Sequence, residues 1–184
     1  RNPDLFNKAK FEHSRIPGKN PKVEELLAIA EEVEGSVIVW CRFIEEIRAV
    51  STALRERFGD AEVVEIHGAI SETDRDRNVQ EIFQQGHARF LVGNAATGGV
   101  GLNMTRAETV VYFSNSFSFT DREQSEDRAH RIGQTRSVTY IDLVAEGTVD
   151  ATVTGALREK KDVSEFVRTS INEKSPNTLF GQVS

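Results

Sequence analysis

One cysteine, one methionine, one tryptophan and four prolines are spread through 184 residues. With Cys41 alone no internal disulfide can form, and the chain fits a reducing compartment. Cys41 has no histidine near it in sequence, which leaves it as a small buried hydrophobe. No apolar run approaches the roughly 20 residues that a membrane span needs, and no signal peptide opens the chain. Positive charge is not in excess: 23 Lys and Arg stand against 29 Asp and Glu, for a net charge of -6. That balance argues against a wholesale nucleic-acid coat but leaves room for a local basic site. A P-loop is missing too, because the only Gly-Lys pair, Gly18-Lys19, runs into Asn20. The chain opens at Arg1 and its one methionine is Met104, so the expectation is a piece of a longer protein.

What the chain does have is a soluble, globular balance, 38% hydrophobic and 28% charged, and enough length for one domain with a core. Val37–Trp40, Val63–Ile66, Phe90–Val92, Thr109–Phe113 and Ser137–Val144 read as short buried strands, the last the longest. Helical patterns lie between them. Asn20-Pro21 reads as an N-cap with proline at the first helical position, followed by Leu26, Leu27, Ile29 and Ala30. Ile44, Ile47, Val50, Leu54 and Phe58 recur at helical spacing and end at Gly59. Ser71 with Asp74, and Thr120 with Glu123, have the spacing of capping boxes. Val149 to Ser170 reads as one or two more helices. Continuous apolar strands alternating with helices predict an α/β fold, a mainly parallel sheet covered on both faces. Ligands then bind at loops beyond the carboxyl ends of the strands. Residues 1–18 read as a linker or arm, 19–172 as the domain and 173–184 as a flexible tail.

The strand ends hold the candidates for chemistry. Phe90–Val92 runs into a loop with Gly98, Gly99 and Gly101, which permits close backbone approach to a phosphate or is simply a tight turn. His67, Gly68 and Ser71 follow the second strand, and a lone histidine there is more often structural than catalytic. Arg42 follows the first strand on the same rim. In the helix from Thr120, Gln124, Arg128 and Arg131 fall at i, i+4 and i+7. A solvated face with ion pairs, such as Asp127 with Arg131, is one reading of this pattern. Four arginines and four acids lie between Asp121 and Arg136, so charge cancels locally and solubility needs no such design. The other reading is a fork of two guanidiniums for a phosphate chain, of the kind that neutralises charge in phosphoryl transfer. Without a P-loop here, the nucleotide would sit on another domain across a cleft.

The run Gln124–Gln134, QSEDRAHRIGQ, resembles motif VI of the Swi/Snf-related ATPases of helicase superfamily II. GNAATGGVGLNMTRAETVVYFS resembles motif V, SVIVWCRF resembles motif IV, and HGAISETDRDRNVQEIF resembles the adjacent arginine-bearing motif. VTYIDLVAEGTVDATV resembles the segment after motif VI, so the likeness covers about Pro21 to Lys161 in the family's order. The resemblance implies the second RecA-like lobe, a helicase C-terminal domain of P-loop NTPase type. It implies ATP and Mg2+ held mainly by an absent first lobe of the same parent chain, with double-stranded DNA as the other partner and no membrane. Arg128 and Arg131 map to the arginine fingers. Gln124, Gly99, Gly101, Asn103 and Gln134 map to the nucleotide side. Arg42, His67, Gly68, Ser71, Arg75 and Gly98 map to the DNA side, and no metal ligand maps to this chain. The implied activity is that of a DNA-dependent ATPase that translocates along duplex DNA, acting as a monomer, with this piece alone inactive.

There are departures from the family's pattern. Ala95, Ala96 and Thr97 stand where the family has a hydroxyl residue, a polar or basic one and a small one, which weakens the expected phosphate contact. Phe117 and Phe119 replace a tryptophan-containing segment, and the helix after Arg75 is about one residue longer than in the family. These departures suggest a prokaryotic or phage-like, cytoplasmic protein, with a nuclear one expected of a eukaryote. The rival readings are a catalytically inert nucleic-acid-binding lobe and a small-molecule enzyme of the doubly wound class.

Overall fold

The computed structural model describes residues 20–97, 102–129, 137–145 and 147–159. Five parallel strands run through them: β1 (Ser36–Trp40), β2 (Val63–Ile66), β3 (Phe90–Gly93), β4 (Ala107–Tyr112) and β5 (Thr139–Asp142). Their order across the sheet is β2-β3-β1-β4-β5. The helices are α1 (Pro21–Glu32), α2 (Ile44–Phe58), α3 (Glu72–Arg77), α4 (Phe119–Ala129) and α5 (Val149–Arg158). The expected parallel α/β architecture is therefore the observed one.

β1 is buried along its whole length because helices cover both faces of the sheet. Val37 and Val39 point to one side, where Leu26 and Ala30 of α1 and Ile47, Val50 and Leu54 of α2 pack on them. Ile38 and Trp40 point to the other side, against Val79, Phe83, Met104 and Ala129. Each fully buried side chain of this size stabilises the fold by about 1.5–3 kcal/mol relative to exposure.

The ends of the elements follow from local chemistry. The Asn20 side chain accepts from the Lys22 amide at 3.0 Å with Pro21 next in line. α2 closes on Gly59 at φ 110°, a conformation that a β-carbon would oppose. Ser71 accepts from the Asp74 amide at 3.1 Å and donates to its carboxylate at 2.7 Å, as the spacing predicts. α3 continues into a π-helical segment, Asn78–Phe83. There the Gln84 amide donates to the Val79 carbonyl at 2.8 Å and the His87 amide to that of Ile82 at 2.9 Å. Such i→i+5 turns take up an extra residue without breaking a helix.

Two expectations need correction. β5 covers four residues, not Ser137–Val144, and it is not the longest strand. Its register ends at Tyr112↔Asp142, where β4 itself stops; beyond it the Leu143 amide makes one last bond, to the Tyr112 carbonyl at 3.0 Å. α4 starts at Phe119, one residue before Thr120. Its cap is Ser118, whose hydroxyl accepts from the Asp121 amide at 3.2 Å, and Asp121 in turn accepts from Ser116 at 3.1 Å. Ser118 and Asp121 have the same spacing as Thr120 and Glu123 and come first, at the end of the extended connection, so they take the role. Of the helices expected in Val149–Ser170, α5 lies within the described residues and the rest of the stretch lies outside them.

Candidate functional site

At the carboxyl ends of the strands, one short loop gathers side chains from three elements. Asn94 follows β3, and its side-chain amide donates to the Arg42 carbonyl beyond β1 at 2.7 Å. Its own amide donates to the Ile66 carbonyl of β2 at 3.2 Å, and its side-chain oxygen accepts from the Ala96 amide at 2.9 Å. Gly93 makes this geometry possible. A β-carbon there would overlap the Ile66 side chain and lie 2.5 Å from the Ile66 carbonyl oxygen.

The next residues of the loop are held by two arginines. Arg128 Nη1 donates to the Ala95 carbonyl at 2.8 Å, and the Arg128 carbonyl accepts from the Met104 amide at 3.1 Å. Arg128 therefore touches both arms of the loop whose middle carries the glycines. Arg75 Nη1 donates to the Thr97 carbonyl at 3.2 Å. Arg128 is buried, with 8% of its surface exposed. Burial lowers its pKa, opposed chiefly by the charge of Asp121, and a guanidinium remains charged under such a shift. Among the described residues, each of these arginines spends one of its five N–H groups on a carbonyl.

The other candidates are placed as follows. Gln124 and Asp127 are exposed on α4, while Arg128 is turned inward. The Asn103 carbonyl accepts from Gln80 at 3.3 Å, and its side-chain oxygen accepts from the Thr105 amide at 3.2 Å. His67 is buried, with Nε2 3.4 Å from Glu65 and Nδ1 accepting from the Ala69 amide at 3.3 Å. This is the structural role that a lone histidine more often has. Gly68 and Ser71 are exposed. Gly98, Gly99, Gly101, Arg131 and Gln134 lie outside the described residues. No group of three His, Cys, Asp or Glu among the described residues could hold a metal ion.

Sequence reasoning passed over Arg122. Its guanidinium lies over the Tyr112 ring, 3.4 Å from the ring centre, and donates to Asp142 at 2.5 Å, to Asn115 at 3.1 Å and to Glu126 at 2.5 Å. Burial alone would lower its pKa, but Tyr112 and the bonds to Asp142 and Glu126 outweigh burial and hold it above its ordinary value. Through these contacts Arg122 pins α4 to β4 and β5, and with α4 the position of Arg128. The i, i+4 spacing of Arg122 and Glu126 was visible in sequence; the partner on β5 was not. The Tyr112 hydroxyl, 2.6 Å from Ser125, adds a second tie to the same helix.

This rim on a five-stranded parallel sheet defines a class before it defines a protein: the RecA-like lobe of a helicase. Residues 18–133 match the helicase conserved C-terminal domain family. That is well over half of the chain, and the chain belongs to this family of C-terminal helicase domains. It is 27% identical over 171 residues to the chromatin-remodeling ATPase INO80 of Aspergillus terreus, a match covering 88% of this chain and 10% of that protein. It is 39% identical over 90 residues to INO80 of Drosophila melanogaster, covering 49% of this chain and 5% of that one. Among solved structures, the crystal structure of the C-terminal part of the Fun30 ATPase domain has the same fold. The TM-score is 0.67 at 21% identity, over 74% of this chain and 45% of that one. The chain spans about 10% of the length of the INO80 proteins that it matches along most of its own. These relatives are fungal and insect proteins and lend no support to a prokaryotic or phage-like origin. No helix among the described residues is long and apolar enough to cross a membrane.

Proposed function

We propose that this chain is the second ATPase lobe of an ATP-dependent duplex-DNA translocase. It would supply arginines to a nucleotide bound on a first lobe of the same parent chain. The observation that supports this most is Arg128: a buried cation fixed at the strand-end rim by its bond to the Ala95 carbonyl. A side chain meant for solubility would not be desolvated and anchored there. The rim suits a nucleotide presented from outside, since the sequence has no P-loop to cradle phosphates. ATP would supply the phosphoryl group, with Mg2+ held on the first lobe. Arg128 and Arg131 would bind its phosphates and neutralise their charge. Gln124, Gln134, Asn103, Gly99 and Gly101 would shape the nucleotide side. Arg42, Gly68, Ser71, Arg75 and Gly98 would face the DNA backbone, with His67 supporting their loop from beneath. Binding through a few phosphates means little sequence preference and a shallow dependence on salt. The setting would be nuclear in a eukaryote.

The test is phosphate release by the 184-residue chain alone, with and without duplex DNA. Turnover is expected to stay at background in both. DNA-dependent turnover by the chain alone would overturn the reading, and loss of all duplex binding would favour an unrelated role for the rim.

A further inference from the structure

Among the described residues, six arginines that are not fully exposed give their guanidinium to a protein oxygen. Arg55 pairs with Glu65, Arg122 with Asp142, and Arg75, Arg89, Arg106 and Arg128 bond to carbonyls. Arg42 is the exception. It is half-buried, yet its guanidinium makes no hydrogen bond or ion pair within the described residues. It lies instead 3.8 Å from the centre of the Phe117 ring and 5.0 Å from that of Phe43. Both rings are exposed, Phe117 at 41% and Phe43 at 52%.

The backbone beneath this stack is fixed. The Arg42 amide donates to Ser114 Oγ at 2.8 Å and to Glu46 at 3.1 Å, and the Arg42 carbonyl accepts from Asn94 at 2.7 Å. The Glu46 carboxylate lies close by but is occupied by the Arg42 and Phe43 amides and the Ser114 hydroxyl. Rings take the face of a guanidinium and leave its edge free. An arginine with its backbone tied, its face stacked and its five edge donors uncommitted among the described residues is arranged to receive an anion. Two exposed phenylalanines beside it would otherwise be an unexplained apolar surface.

We propose that Phe117 and Phe43 hold Arg42 as a preset receptor for one phosphate, taken from the backbone of duplex DNA. Phe117 and Phe43 are positioning residues in this arrangement. The proposal rests on the duplex-DNA reading given above, and it goes beyond that reading by assigning work to the two phenylalanines.

The experiment is duplex binding by the 184-residue chain across a salt series, together with the Arg42 Nε–H signal in nuclear magnetic resonance. Arg42→Gln should make the slope of log K against log salt shallower by about 0.9. Phe117→Leu and Phe43→Leu should each weaken binding about two- to fivefold, the value of an exposed cation–π contact. In the Arg42→Gln background Phe117→Leu should have no further effect. The Arg42 Nε–H signal should move on addition of duplex. The proposal falls if Phe117→Leu weakens binding equally with and without Arg42, or if duplex binds and the Arg42 signal stays still. Should the chain bind no duplex, inorganic phosphate separates the two ideas. A shifted Arg42 signal then keeps the receptor and refutes DNA as its source, along with the DNA reading itself. An unmoved signal refutes the receptor.

Discussion

Replacing Arg122 by methionine removes one charge from a buried pair while keeping much of the side-chain volume. In the structure the Arg122 and Asp142 side chains are 13% and 10% exposed and 2.5 Å apart. Losing Arg122 leaves the Asp142 carboxylate, among the described residues, with Asn115 alone at 3.0 Å to satisfy it. Breaking one side of a buried pair destabilises by about 3–5 kcal/mol, because the partner is left charged and desolvated. For a domain of this size each kcal/mol lowers Tm by about 2–4 °C, so the shift should be about 6–20 °C. The pair Arg57–Glu31 provides the contrast: it is exposed at 59% and 45%, and Arg57→Ala should change stability by no more than about 1 kcal/mol. The assay is urea denaturation followed by circular dichroism, with Tm as a second reading. A double variant, Arg122→Met with Asp142→Leu, should recover most of the loss, since an apolar replacement of a whole buried pair is often neutral. If Arg122→Met alone lies within 1 kcal/mol of wild type, water reaches Asp142 freely and the account of how α4 is fixed is wrong.

Gly93→Ala should destabilise the chain by about 1–3 kcal/mol, the range for overpacking, because the new β-carbon meets the Ile66 backbone as well as its side chain; a wild-type urea midpoint would contradict this. Stability should also decline in alkali. Burial first, and the charge of Glu46 second, push the Cys41 thiol well above its ordinary 9.0, and burial likewise raises Tyr112 above 10.0. The folded state keeps these protons where the unfolded state has lost them. Stability is therefore intact below pH 8 and falls by about 1.4 kcal/mol per pH unit above about pH 9 on account of Cys41, with Tyr112 adding a like loss only above about pH 10. Urea midpoints between pH 8 and 10.5 check this. Cys41→Ala should delay the onset, and a flat profile would refute it.

The sheet was legible because its strands are short apolar runs bounded by polar turns, and parallel strands covered on both faces leave no other pattern. Asn20, Ser71 and Gly59 marked helix ends correctly because a cap acts over two or three residues. Ser118 was missed in favour of Thr120, since two boxes of equal spacing overlap there and only the path of the chain chooses between them. The motif arginines were legible as a pattern, but not their bonds. Arg128 to Ala95, Arg75 to Thr97 and Arg42 over Phe117 each join residues more than twenty apart. The inward turn of His67 depended on Glu65, its neighbour on the opposite side of Ile66, and on Arg55 from α2. Arg122 escaped notice because its partner Asp142 lies on β5, beyond the end of α4.

The most direct measurement is DNA-stimulated ATP hydrolysis by the two-lobed parent chain with Arg128→Ala, beside duplex affinity and Tm for the same variant. Arginine fingers are worth about 10³–10⁵ in rate, or about 4–7 kcal/mol of barrier. Turnover should fall by that factor while duplex affinity is retained and the melting transition survives. Arg128→Lys should rescue little, because an ammonium lacks the planar fork. Near-normal turnover in Arg128→Ala would contradict the account, and a lost melting transition would mean that Arg128 serves the fold and not the nucleotide.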